Sequence, residues 1–387
     1  MHVNLLETGF VEGGHLLVKR ALRLAEKVTV RGNTGDLELH LRAWCRTQGH
    51  GFRWEPGGYA LLTRGSLADA RWAGAGEAGG PATVADHPPR CWGLAARGAV
   101  VEAGTPEFPF LLSDKSEVWA DDAARLYAQA VANQWDPAEA VPWDAPFELP
   151  PEVEDAVVQL MTYLIENETA ALIVPSRFAA QLHPHFREVM QVLAIQAADE
   201  ARHIEVFTRR ALLKRNRLGL STAGGQASLK SLVEEPDFAI ASFLLSVLGE
   251  GTFLSLLRFI EVHAPDPVTA AVARLAAQDE ARHVAFGLAH LRRHAEADPG
   301  LRGRLAAAVQ RRHESLRHTA GLNEEVFDAL LLVAAGSWDP DQLRLGHRRV
   351  MRLVRDMADG RTQRLLRLGF AADEAAALSE LHTRNFM

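Results

Sequence analysis

The pentapeptide Asp-Glu-Ala-Arg-His occurs twice, at residues 199–203 and 279–283. Residues i and i+3 share a helix face, so Glu200 points with His203, and Glu280 with His283. A carboxylate and an imidazole at that spacing suit a metal cation. Two such pairs, joined by one glutamate from each of two further helices, make the ligand set of a dinuclear iron or manganese site in a helical bundle. Carboxylates bridge and neutralise two hard cations. One imidazole per metal adds to each shell and leaves positions open.

The elements that carry these residues must bring them to one depth. In an antiparallel helix hairpin, residues at equal depth lie equally far from the turn. Midway between Glu168 and Glu200 is Pro184, within His183-Pro184-His185. Midway between Glu250 and Glu280 is Pro265, within Ala264-Pro265-Asp266-Pro267. At 1.5 Å per residue both pairs lie about 23 Å from their turns. Glu166 points about 200° away from Glu168, yet its midpoint with Glu200 is His183, so depth alone leaves it open. Glu261 is a poor candidate, because its midpoint with Glu280 falls inside the next helix.

The surroundings are apolar. Phe243, Val247, Phe253, Leu254 and Leu257 flank Glu250. Met161, Leu164, Ala171 and Leu172 flank Glu168, and Val189, Leu193 and Phe207 flank Glu200. An ionised carboxylate on such a face is costly unless paired or metal-bound. Two divalent cations would balance the four carboxylates. Asp199 and Asp279 are placed to accept the free imidazole N–H across the bundle, with Arg202 and Arg282 holding those aspartates.

Punctuation along the chain gives four parts. Residues 1–70 form an α/β domain: KVTVRG and YALLTRG read as strands, and LELHLRAWCRTQG as a helix closed by Gly49. Residues 71–115 are linker or irregular, with the run AGAGEAGGPATVADHPP. Residues 116–300 form a helical bundle, and 301–387 a helical extension packed on it. One helix carries Trp119, Tyr127 and Trp135. Another starts near Pro151, with a kink or early end at Pro175. Others span 186–215, 236–263, 267–296, 301–320, 323–335, 340–358 and 361–385, with STAGGQAS as a loop. The fold class is thus an all-α four-helix bundle with extra C-terminal helices, preceded by a small two-layer α/β domain.

Composition narrows the function. The 387 residues carry a net charge of -7, which argues against binding a nucleic-acid backbone. Arg209-Arg210 and the run from Arg348 to Arg355 read as solvated helix faces. Two cysteines, Cys45 and Cys91, make no disulfide framework and fit a reducing cytosol. MHVNLLETGF lacks a basic segment followed by an apolar run, so no signal peptide is expected. FAIASFLLSVLG reads as a buried helix and not as a membrane span. The expected location is cytoplasmic.

With these residues in place, residues 115–300 resemble the ferritin-like non-heme diiron carboxylate superfamily, in its oxygen-activating branch. DEARH is similar to that branch's second and fourth ligand motifs. GEGTF at 249–253 is similar to the third, and ENETAA at 166–171 to the first, which favours Glu168 over Glu166. The resemblance implies that Glu168, Glu200 and His203 hold one iron and Glu250, Glu280 and His283 the other, with Glu200 and Glu280 as bridges. It implies two iron ions (Fe/Fe, or Mn/Fe), O2 as co-substrate, and oxidation of a small-molecule or carrier-bound substrate, with the electron donor unassigned. Leu254 replaces the Thr of the multicomponent hydroxylases, and Phe207 the radical Tyr of the reductase small subunits. Tyr163 reads as core. A metal-binding protein without turnover is the alternative, and a homodimer is left open.

Residues 3–65 resemble the TusA-like sulfur-carrier family through GGHLLVKRALRLAEKVTVRG and LELHLRAWCRTQGHGFRWE. That family's Cys-Pro-x-Pro motif falls on Glu12-Gly13-Gly14-His15, so the active cysteine is absent. Cys45 reads as a small apolar residue. The resemblance implies docking or partner recognition, and a sulfur-relay or RNA-modification partner is the second alternative.

Overall fold

The computed structural model describes residues 1–33, 35–65, 71–317 and 324–381. It divides into two units, Met1–Thr83 with Cys91–Glu107, and Val84–Arg90 with Phe108–Met387.

In the first unit, β1 (His2–Leu5), β2 (Lys27–Gly32), β3 (Gly51–Glu55) and β4 (Tyr59–Thr63) make one sheet in the order β1-β2-β4-β3. β1 and β2 are parallel, and the other pairings are antiparallel. Alternate residues face inward: Val28, Val30, Ala60 and Leu62 are fully buried. They pack against Val18 and Leu22 of α1 (Gly14–Leu24) and Leu41 and Cys45 of α2 (Leu37–Gln48). Gly49 closes α2 in the left-handed region at φ 72°. A two-residue ladder joins β5 (Gly76–Glu77) to β6 (Val100–Val101). The expected end of this domain at residue 70 lies outside the described residues.

The second unit is helical. It begins with α3 (Lys115–Val118) and α4 (Ala123–Ala132). Trp119 and Trp135 therefore lie outside helices, contrary to expectation. Trp119 caps α3 and Asn133 caps α4, so the anticipated single helix is two short ones.

The two hairpins turn where the spacing predicts. α5 (Pro151–Ala179) and α6 (Arg187–Leu212) are joined through a 3-10 turn at Pro184–Phe186. Pro175 neither ends nor splits α5. It lies near the helix end and deletes one N–H donor only. The second hairpin joins α8 (Phe238–His263) to α9 (Pro267–Ala297), and Asp266 caps α9 by accepting from Thr269 N at 2.8 Å. α8 is not uniformly α-helical: Phe243–Glu250 is a π segment. Gly287 of α9 lets that segment come close, since a Cβ there would stand 2.6 Å from Ser246 Cβ. Gly287→Ala is expected to destabilise the protein by about 1–3 kcal/mol through overpacking, read as a lower midpoint in urea with an unchanged m-value.

Between the hairpins the expected loop STAGGQAS is largely helix, α7 (Ala223–Val233). Thr222 caps it by accepting from Gly225 N, and burial of Leu229 and Leu232 outweighs the poor helix propensity of its glycines. α10 (Leu301–Leu316), α11 (Glu324–Ala335), α12 (Pro340–Arg367) and α13 (Ala372–Leu381) complete the unit. The expected helices 340–358 and 361–385 have a different boundary. α12 runs through Gly360 because Met357, Arg361 and Leu365 bury one continuous face, and the break comes at Gly369, φ 87°. The ends anticipated at 320, 323 and 385 lie outside the described residues.

Arg209 and Arg210 divide between two environments, which corrects the reading of both as solvated. They stand about 100° apart on α6. Arg209 is exposed and lies over the Trp143 ring at 4.0 Å. Arg210 is fully buried and clamps three elements: Nη1 donates to Glu154 Oε1 at 2.7 Å, Nη2 to Asp266 Oδ2 at 2.7 Å, and Nε to Thr269 Oγ1 at 2.7 Å. It thereby ties the first hairpin to the start of α9. By length and composition α5 and α8 could cross a membrane, but both are mostly buried inside the bundle.

Candidate metal centre

Six side chains from α5, α6, α8 and α9 converge in the bundle core. Glu168, Glu200, His203 and Glu280 form one group and Glu200, Glu250, Glu280 and His283 another, with ligand atoms in each within 4.8 Å of one another. None of the six is more than 5% exposed. Glu200 and Glu280 belong to both groups. Glu166 and Glu261 are half-buried and belong to neither.

The arrangement is close to two-fold. His203 Nδ1 lies 3.1 Å from Glu200 Oε2, 3.4 Å from Glu280 Oε1 and 3.8 Å from Glu168 Oε2. His283 Nδ1 lies 3.1 Å from Glu200 Oε1, 3.4 Å from Glu280 Oε2 and 4.0 Å from Glu250 Oε1. Each imidazole uses its other nitrogen across the bundle. His203 Nε2 is 3.2 Å from Asp279 Oδ2, and His283 Nε2 is 3.2 Å from Asp199 Oδ2.

These contacts fix the tautomers. Burial pushes the Asp279 carboxyl up, but hydrogen bonds from His203, Arg202 and Trp135 outweigh it and hold the group below the ordinary carboxylate range. Asp199 is likewise held low, by His283 and Gln134 against burial. An ionised carboxylate only accepts, so each Nε2 carries a hydrogen and each Nδ1 is left facing the glutamates. Burial pushes both imidazoles down, but the carboxylates around them outweigh it and hold both well up, so without metal a proton lies between each Nδ1 and the glutamates, and a metal ion would take that proton's place. The same demand shows in the orphaned atoms: Glu168 Oε1, Glu200 Oε1, Glu250 Oε2, both Glu280 oxygens and His283 Nδ1 are buried without a hydrogen-bond partner. Burial and then the charges of Glu200 and Glu280 push the Glu168 carboxyl well up, and burial and Glu280 do the same to Glu250. The donor set thus fits a dinuclear metal site.

Charge bookkeeping agrees. Arg202 Nη2 bonds Asp199 Oδ1 at 2.5 Å and Asp279 Oδ2 at 2.7 Å, and Arg282 pairs with Asp279. Two aspartates and two arginines cancel. Four glutamates remain, and two divalent cations neutralise them.

No family model matches the chain, and no curated protein matches it. Among solved structures, the chain is similar to an R2-like ligand-binding oxidase with aerobically reconstituted Mn/Fe cofactor: TM-score 0.44, 21% identity, covering 68% of this chain and 91% of that one. It is also similar to Protein 19 with aldehyde deformylating oxidase activity from Synechococcus: TM-score 0.43, 16% identity, 59% and 96% covered. A third is the R2-like ligand-binding oxidase from Sulfolobus acidocaldarius: TM-score 0.39, 17% identity, 62% and 90% covered.

Three supporting residues add to the expected set. Gln134 Nε2 donates to Asp199 Oδ1 at 2.9 Å. Trp135 Nε1 donates to Asp279 Oδ2 at 2.8 Å, and its ring stacks on His203 at 6.5 Å and 14°. Both sit in the irregular stretch after α4, where nothing local marks them. Gln196 Nε2 donates to Glu250 Oε1 at 2.8 Å, and it was findable, being one turn before Glu200 on the same face. Phe207, where a radical tyrosine would stand, is buried with its ring 6.2 Å from His203. Tyr163 is core, packed on Phe253 at 5.9 Å.

Asp279→Asn puts an amide, able to donate, opposite His203 Nε2 and loosens the tautomer. Metal affinity is expected to fall about 10–100-fold, read by competition with a chelator of known strength. Unchanged affinity would remove Asp279 from the scheme.

Proposed function

We propose that the chain is a non-heme dinuclear iron oxidase or oxygenase that uses O2 to oxidise an organic substrate. The observation that carries this is the pair of imidazole Nδ1 atoms that converge with four buried carboxylates, several of whose oxygens have no other partner. Glu168, Glu200 and His203 would hold one metal and Glu250, Glu280 and His283 the other, with Glu200 and Glu280 shared. Once bound there, two reduced iron ions would supply the electrons for O2 reduction and the oxidising power used on substrate.

The protein's part is placement and exclusion of water. Asp199 and Asp279 hold the hydrogen on each Nε2, and Arg202 and Arg282 keep those aspartates ionised. Phe207, Phe243 and Val247 are fully buried and wall the neighbouring helix faces, which strengthens every charge interaction inside. The proposed metals are Fe/Fe, with Mn/Fe as the other assignment. The proposed substrate is a small or carrier-bound molecule, and the proposed location is the cytoplasm.

Metal analysis with an oxygen electrode tests this. About two irons per chain, with O2 uptake on reduction, is the expected result. Iron without O2 uptake would leave a metal-binding protein without turnover, and absence of metal after reconstitution would sink both readings.

For the N-terminal unit we propose partner recognition without sulfur transfer. Gly13 holds φ 111°, and no cysteine stands in the Glu12–His15 segment. Cys45 is fully buried, and burial pushes its thiol up to about 12, far from a reactive thiolate. Mass spectrometry after incubation with a persulfide donor is expected to find Cys45 unmodified. A persulfide there would overturn this assignment.

A further inference from the structure

Two guanidinium groups meet in the interior of the helical unit with no carboxylate partner among the described residues. Arg361 and Arg364 lie about one turn apart on α12 and are 1% and 8% exposed. Both reach one hydroxyl: Arg361 Nη1 and Arg364 Nη2 each donate to Thr252 Oγ1 at 3.4 Å. Arg364 Nε donates to the Val247 carbonyl at 2.6 Å. Arg361 Nε and Nη2 are buried with no partner. Gly251 makes the room, since a Cβ there would overlap Arg364 Nε and Cζ.

Another buried guanidinium of the same unit is fully paired. Arg210 meets two carboxylates and a hydroxyl. Arg361 and Arg364 have neither carboxylate, and they face each other as like charges. Burial, unopposed by any anion, lowers Arg361 to about 10, and burial with the charges of Arg361 and Arg367 lowers Arg364 to about 10. Both stay charged at neutral pH. Unpaired buried charge is strongly disfavoured, so the arrangement is complete only with an anion.

Its position separates it from the metal centre. Thr252 is about 200° round the helix from Glu250, so the pair stands behind the ligand-bearing helix. Further along the same two helices, a groove of about 710 Å³ is lined by residues that include Arg258, Arg348, Arg349 and Arg352 against the single acid Asp356. In a chain of net charge -7, that local excess attracts anions to this seam.

We infer that the α8–α12 seam is a phosphate-binding site in which Arg361 and Arg364 hold a tetrahedral dianion, either free phosphate or the head of a phosphomonoester. Two converging cations call for two negative charges. A phosphate monoester carries about -1.5 to -2 at pH 7, whereas a carboxylate carries one. Paired guanidinium forks also match phosphate oxygens in geometry.

Calorimetry on the full metal-loaded chain with inorganic phosphate and with hexyl phosphate tests this. Saturable binding is expected, weakened at least about tenfold in both Arg361→Met and Arg364→Met, by the loss of a charge-assisted contact. Tighter hexyl phosphate identifies a phosphomonoester, and equal affinity identifies free phosphate. Without phosphate, Arg361→Met should melt no lower than the parent, because it removes an unpaired buried charge. Should a Met variant fail to fold, the corresponding Lys variant, which keeps the charge but loses the fork, is expected to bind more weakly than the parent. Absence of binding by either probe, or binding unchanged in the variants as metal coordination would give, overturns the assignment.

Discussion

Glu280→Gln is expected to cost the metal-loaded protein far more stability than the metal-free protein. Glu280 contributes to both ligand groups and has two orphaned oxygens. Without metal it stands 3.4 Å from Nδ1 of both histidines, which the surrounding carboxylates hold well up, so the substitution removes one of several partners of those imidazolium groups and should cost the apo protein little. With metal the cost is larger, because the substitution removes negative charge from both metal positions. Ligand binding stabilises by RT ln(1 + [L]/Kd), roughly 4 kcal/mol at a thousandfold excess over Kd, and most of that should vanish with the metal. Melting curves with and without added iron compare the two costs in one experiment. A variant that lost equal stability in both forms, or kept full metal content, would show that Glu280 is a structural residue.

The second large effect lies away from the metals. Arg210→Met should cost about 3–5 kcal/mol, because it leaves Glu154 and Asp266 buried without their cation. The loss should shrink when Glu154→Gln and Asp266→Asn are added, since the stranded charges go too. Denaturant titration of the single and triple variants decides it. A single variant within about 1 kcal/mol of the parent would place the clamp in the ordinary range of surface pairs.

The chemistry-bearing residues were readable because they lie on hairpins that turn at Pro184 and Pro265, and helix rise is constant. That arithmetic brings Glu168 and Glu250 to the depth of the two pentapeptides without tertiary information. It fails where local preference is overridden. FLLSVLGE carries no mark of a π segment; the register change becomes visible only against Gly287 of the next helix. Gln134 and Trp135 reach their aspartates from 65 and 144 residues away, a pairing set by the docking of an irregular stretch. Arg209-Arg210 reads as one basic patch, yet two buried carboxylates draw only one of the pair inward. The glycines of the 223–233 helix misled for a related reason: propensity is weak beside the burial of two leucines.

The crossed imidazole–aspartate contacts have a consequence for assembly. Each aspartate steadies the histidine of the other hairpin, so neither half can prepare its own imidazole. A chain with one hairpin misdocked would lose both tautomers at once. Metal content would then act as an inspection of the finished fold: partly assembled molecules should be nearly empty rather than half loaded.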